Sequence, residues 1–210
     1  MDTDTEMYAG IRAFTDALAS AAPTPGGGGS AALAGALAAA LCAMSSRLTE
    51  GRRKYADRAE ALRRIVSRSD ELRTRLLHLI GEDAAGFAPL AAAYSLPKDE
   101  PETKQLLRDA TLGACEAPME MLRCAAAVIE LLEEARELAS PLLLSDVGCG
   151  ASLARASLEC AAMNVLVNTR SLPGDAEAAH DQAEALRIRD EYGRRAEAVA
   201  ASVEDWLVKP

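Results

Sequence analysis

An aspartate stands where a helix should be apolar: Asp83 falls in line with Leu72, Leu76, Ile80, Phe87, Leu90 and Tyr94. Steps of three and four residues place these side chains on one helical face, so an ionisable group is aimed at the interior. A buried carboxylate costs free energy unless paired, hydrogen-bonded or protonated, and shifted acids of this kind gather in functional pockets. Asp83 is therefore the candidate acid–base group. Its alternative role is a structural hydrogen bond. Glu82, about 100° around the helix, should face water.

Four further groups of residues have chemistry to offer. The run Gly26, Gly27, Gly28 and Gly29, followed by Ser30, leads into a helix N-terminus, where free N–H groups and the helix dipole favour an anion. It is neither a Walker loop nor a dinucleotide fingerprint, and it equally suits a turn that lets a helix pack tightly. Arg52, Arg53 and Lys54 form a basic cluster, either a solvated helix face or a seat for a carboxylate-rich ligand. Ser145 or Asp146 should cap a helix. Asn164 shares a face with Leu153, Ser157, Cys160 and Val167, a buried amide that needs partners and can present them to a ligand, and Asn168 follows one turn later.

The elements that must position these groups are almost all helical. Helices are expected to about Ser20, from about Ser30 to Thr49, from about Arg53 to Tyr94 with a kink at Pro89, over 101–115 and 118–139 with Pro118 in a first turn, to near Thr169, and over 175–207. Strand signals are poor. The expected architecture is an all-α, single-domain bundle of long helices over 1–210.

Composition excludes several classes. Half of the 210 residues are apolar and the net charge is −9, which argues against nucleic acid because no basic surface would offset phosphate repulsion. Five cysteines without a CxxC pair fit reduced thiols in a cytoplasmic protein. His78 and His180 lack zinc-ligand spacing. The acidic N-terminus does not resemble a signal peptide, and the apolar run Ala31–Met44 is too short for a bilayer and reads as a buried helix. No membrane partner is expected.

The segments PTPGGGGSAALAGALAAALCAM, EGRRKY, GEDAAGFAPLAAAYSLPK and LLLSDVGCGASLARASLECAAMNVLVNTRSL, in that order, resemble the cyclodeaminase/cyclohydrolase family of folate enzymes over about residues 5–205. The resemblance implies an all-helical fold, a homodimer, a tetrahydrofolate substrate and no metal or redox cofactor. It implies hydrolysis of 5,10-methenyltetrahydrofolate to 10-formyltetrahydrofolate. The alternatives are formiminotetrahydrofolate cyclodeamination, with release of ammonia, and a non-catalytic folate-binding or oligomerisation module. Asp83 matches the family's acid, Tyr94 and Lys98 its Tyr-x-Leu-Pro-Lys loop, and Asp146 and Asn164 its Ser-Asp and Asn elements. The chain departs from the family at Gly29, where a serine is usual, and at Leu166, where many relatives carry a basic residue.

Overall fold

The computed structural model describes residues 3–97 and 100–209, and among these no strand forms. Six long helices make up the fold: α1 Thr3–Leu18, α2 Gly27–Glu50, α3 Ala59–Ala93, α4 Pro101–Leu138, α5 Leu144–Thr169 and α6 Ala176–Val208. Short 3₁₀ turns at Arg53–Arg58 and Pro141–Leu143 precede α3 and α5.

Helix α2 is the centre of the bundle. Its alanines face inward, and Ala31, Ala32, Ala38, Ala39 and Cys42 are fully buried. The missing side chain of Gly35 lets both neighbours approach: a methyl group there would lie 2.7 Å from Ser157 Oγ on α5 and 3.2 Å from Leu76 on α3. Ser157 Oγ donates across this contact to the Ala31 carbonyl at 2.7 Å. The alanine face is thus occupied within the protomer, against α3 and α5. By length and composition α2 would pass as a membrane span, yet it is the core helix of this bundle.

Helices α3 and α5 both run antiparallel to α2. Asp83 and Leu76 of α3 lie against Gly28 and Gly35 of α2, while Asn164 and Gly150 of α5 lie at Gly27 and Ala38. One end of the bundle therefore gathers the start of α2 with the second halves of α3 and α5. The opposite end gathers the end of α2 with the start of α5. Leu62, Ile65, Leu76, Leu79, Leu122, Ile129, Leu132 and Leu158 fill the space between helices with no exposed surface. Each such side chain contributes about 1.5–3 kcal/mol of apolar burial.

Three boundaries differ from the sequence expectation. Helix α3 starts at Ala59 instead of Arg53, because Arg53–Arg58 forms a separate 3₁₀ turn with Tyr55 outside helical geometry. Helix α2 starts at Gly27, three residues early, because the glycines form its first turn instead of a breaker. Helix α4 is continuous through Pro118. A proline inside a helix cannot donate to the carbonyl four residues back, here that of Ala114, and Asn168 Nδ2 donates to that oxygen at 3.1 Å. Helix α5 begins at Leu144 without a side-chain cap, so Ser145 and Asp146 are first-turn residues. Asp175 does cap α6, accepting from the Glu177 and Ala178 amides.

The Pro118–Asn168 arrangement predicts a measurable coupling. Asn168→Ala should cost about 1–3 kcal/mol by stranding the Ala114 carbonyl. Adding Pro118→Ala restores a backbone donor, so the double variant should melt above the Asn168→Ala protein. Equal or lower melting of the double variant would contradict this account.

Candidate functional site

The site is built where the first turn of α2 meets α3, α4 and α5. A pocket of about 160 Å³ is lined by Gly26, Gly27, Gly28, Asp83, Phe87, Ala114, Pro118, Asn164 and Asn168, with Pro23, Thr24 and Val167 at its edges. Asp83 sits where the side chain of residue 28 would otherwise be: any Cβ on Gly28 would overlap its carboxylate. The glycine is required there by close approach.

The carboxylate lies beside an uncapped helix N-terminus. No side chain caps α2, and Ser30 N is the first amide to turn back into the helix, donating to Gly26 O at 3.1 Å. The amides of Gly27, Gly28 and Gly29 precede it, in the turn whose donors have no intrahelical acceptor. Among the described residues Asp83 has no salt-bridge partner, and burial pushes its carboxyl above the usual carboxylate range. An acid held partly away from water without a counter-charge is suited to taking and returning a proton.

Asn164 and Asn168 face this acid from α5. Asn164 Nδ2 donates to the Cys160 carbonyl at 2.8 Å, which anchors the amide and leaves its oxygen available. Its side chain abuts the Gly27 Cα, where a methyl group would lie 3.2 Å from Nδ2. Nearby Cys115 is no nucleophile, since burial raises its thiol to about 11. Among the described residues no three His, Cys, Asp or Glu side chains converge to hold a metal.

Asp83, Gly26, Gly27, Gly28 and Asn164 thus come together as the sequence suggested, and Glu82 faces solvent, paired with Arg75. Other expected residues lie elsewhere. The Ser30 hydroxyl donates back to Gly26 O at 3.0 Å. Tyr94 is 51 % exposed at the end of α3, roughly 16 Å along the helix from Asp83 at 1.5 Å per residue. Lys98 lies outside the described residues. Arg52 and Lys54 follow the C-terminus of α2, roughly 35 Å from the glycine turn, and Asp146 lies about 27 Å up α5 from Asn164. At that opposite end Arg52 donates to Ser140 Oγ at 3.2 Å, and Lys54 lies over the Tyr55 ring. Sequence reasoning did not find Pro118 and Phe87 as pocket walls; the proline in an otherwise helical run was the available signal for the first.

The bundle is all-helical, and a partly desolvated acid lies beside a helix N-terminus at the pocket. The chain belongs to the formiminotransferase-cyclodeaminase family, whose model matches residues 10–187. It is 39 % identical over 166 residues to a methenyltetrahydrofolate cyclohydrolase of Methylorubrum extorquens, covering 77 % of this chain and 80 % of that one. It is 28 % identical over 173 residues to formimidoyltransferase-cyclodeaminase of Rattus norvegicus, 80 % of this chain but 32 % of the longer relative. The crystal structure of a formiminotetrahydrofolate cyclodeaminase from Thermotoga maritima superposes with a TM-score of 0.78 at 26 % identity, covering 90 % of this chain and 94 % of that one.

Proposed function

We propose that this protein hydrolyses 5,10-methenyltetrahydrofolate to 10-formyltetrahydrofolate, as a homodimer and without a metal or redox cofactor. The observation that carries the reading is the Asp83 carboxylate, partly desolvated and without a counter-charge, against Gly28 at the start of α2. The 39 % identity to a protein named as a methenyltetrahydrofolate cyclohydrolase supports this substrate.

In this reaction water adds to the cationic carbon that bridges N5 and N10. Asp83 takes a proton from the attacking water, whose oxygen becomes the formyl oxygen. The bond from that carbon to N5 then breaks, and Asp83 returns the proton to N5; the remaining proton of the water is released to solvent. As a carboxylate, Asp83 also stabilises the substrate cation before attack. The amides of Gly27 and Gly28 are suited to hydrogen-bond the developing oxygen, and Asn164 to orient the ring through its amide oxygen.

A second reading is cyclodeamination, favoured by the structural likeness to the Thermotoga maritima enzyme. There N10 attacks the formimino carbon, and the same acid passes the proton that lets ammonia leave. Purified protein offered each folate separately distinguishes the two. Loss of methenyl absorbance supports hydrolysis, ammonia release supports deamination, and neither result would leave a binding module.

A further inference from the structure

The two asparagines of the Asp83 pocket are both held by their nitrogens. Asn164 Nδ2 donates to the Cys160 carbonyl at 2.8 Å, and Asn168 Nδ2 to the Ala114 carbonyl at 3.1 Å. A carbonyl oxygen can only accept, so each bond fixes which end of the amide is nitrogen and which is oxygen. Burial raises the Cys115 thiol, and a hydrogen bond from Asn168 pulls it part of the way back, the direction a donor gives. The nitrogen of Asn168 is thus engaged twice. What the two side chains leave for a ligand is a pair of amide oxygens one turn of α5 apart, about 5.4 Å. Among the described residues neither oxygen accepts a hydrogen bond.

This makes the α5 wall of the pocket a row of acceptors. Asp83 adds a carboxylate from α3, and the described lining holds no lysine, arginine or histidine. A ligand edge that offers N–H groups is matched by this wall, whereas a carboxylate or phosphate would meet only other oxygens. Size restricts the ligand further. At about 160 Å³ the pocket admits part of a folate, since sites for whole drug-sized ligands span roughly 300–1,000 Å³. The two ends of a tetrahydrofolate differ in the required sense: along one edge of its ring N8–H and the 2-amino group flank N1, while its tail ends in carboxylates.

We infer that Asn168 is a specificity-determining residue: its amide oxygen accepts from the 2-amino group of the pterin ring, beside Asn164, which takes N8–H. Pro118 has a part in this. By withholding a backbone donor from the Ala114 carbonyl it leaves that oxygen to hold the Asn168 nitrogen, which presents the amide oxygen to the ligand. The identity of the ring rests on the function proposed above, whereas the acceptor pair is a property of the protein alone.

Calorimetric titration tests the assignment with tetrahydrofolate and its 2-desamino-2-methyl analogue, neither of which carries the bridging carbon that reacts. The variants compared are Pro118→Ala and Pro118→Ala/Asn168→Ala. Both have a backbone donor for the Ala114 carbonyl, so removal of Asn168 strands no buried group between them. The parent and Pro118→Ala should bind the analogue about tenfold more weakly than tetrahydrofolate, because the analogue leaves a buried acceptor without its donor. In the double variant the two ligands should bind within about twofold of each other, the coupling expected of groups in direct contact. A merely structural Asn168 would weaken both ligands alike and preserve the ratio, and that result overturns the inference, as does a parent that does not discriminate. If the parent hydrolyses methenyltetrahydrofolate without discriminating, the reaction stands and the assignment of Asn168 fails. If it turns over neither folate yet discriminates through Asn168, the reaction assignment fails and the acceptor role stands. No binding of tetrahydrofolate at all overturns both.

Discussion

Replacing Asp83 with asparagine should lower turnover by on the order of 10²-fold or more while preserving the helical fold. The substitution is nearly isosteric and keeps polar atoms over Gly28, but it cannot carry a proton between water and N5. Burial, the cause of the raised pKa, gives the stability effect a definite sign. A carboxyl whose folded pKa exceeds its unfolded value destabilises the fold once pH rises above the unfolded value, and the full penalty holds above the folded one. Asp83→Asn removes that penalty, so its melting temperature should equal or exceed the parent's at pH 7 and converge toward it near pH 3. The parent's rate should fall on the acid side as the carboxylate is protonated, with an apparent midpoint above that of an ordinary aspartate. A folded Asp83→Asn enzyme with near-parent kcat would remove Asp83 from the reaction.

The second large effect is expected at a residue with no side chain. Gly28→Ala adds one methyl group where the Asp83 carboxylate already is, so either the acid swings out of the pocket or α2 and α3 separate. Turnover should drop on the order of tenfold to 10²-fold, comparable to a small misplacement of a catalytic group. Alanine is the better helix former by about 1 kcal/mol, so loss of helix in α2 does not account for the loss. Gly81→Ala is the matched control on α3, since a methyl group there meets nothing within 4 Å. It should retain parent kcat. Equal rates for Gly28→Ala and Gly81→Ala would show that contact between residue 28 and the acid is irrelevant to catalysis.

Much of this arrangement was legible in the chain, for reasons that also explain the gaps. Apolar periodicity reports which face of a helix is buried, and it placed Asp83 and Asn164 on inward faces and Glu82 outward. It does not report which helix ends meet. The EGRRKY and SDVG segments were grouped with Asp83 as parts of one site, yet the antiparallel packing of α2, α3 and α5 puts them at the opposite end of the protomer. The single α4 was also illegible locally, because the carbonyl that Pro118 leaves without its backbone donor is served by Asn168, a residue 50 positions further along the chain. The outer face of α2 was hidden by its neighbours: alanines and leucines are equally apolar in one dimension, and only the packed structure separates the inward alanines from the exposed Leu37, Met44 and Leu48.

The central position of α2 also shapes how the chain comes off the ribosome. One of its two principal neighbours, α5, ends at Thr169, about 120 residues after α2 ends at Glu50. At about 5–20 residues per second, a helix apolar enough to cross a bilayer waits roughly 6–24 seconds for its second wall. Over that interval nascent chains expose it to holdase chaperones and to the membrane-targeting machinery. Slower synthesis across residues 50–170 lengthens that exposure without changing the stability of the finished protein.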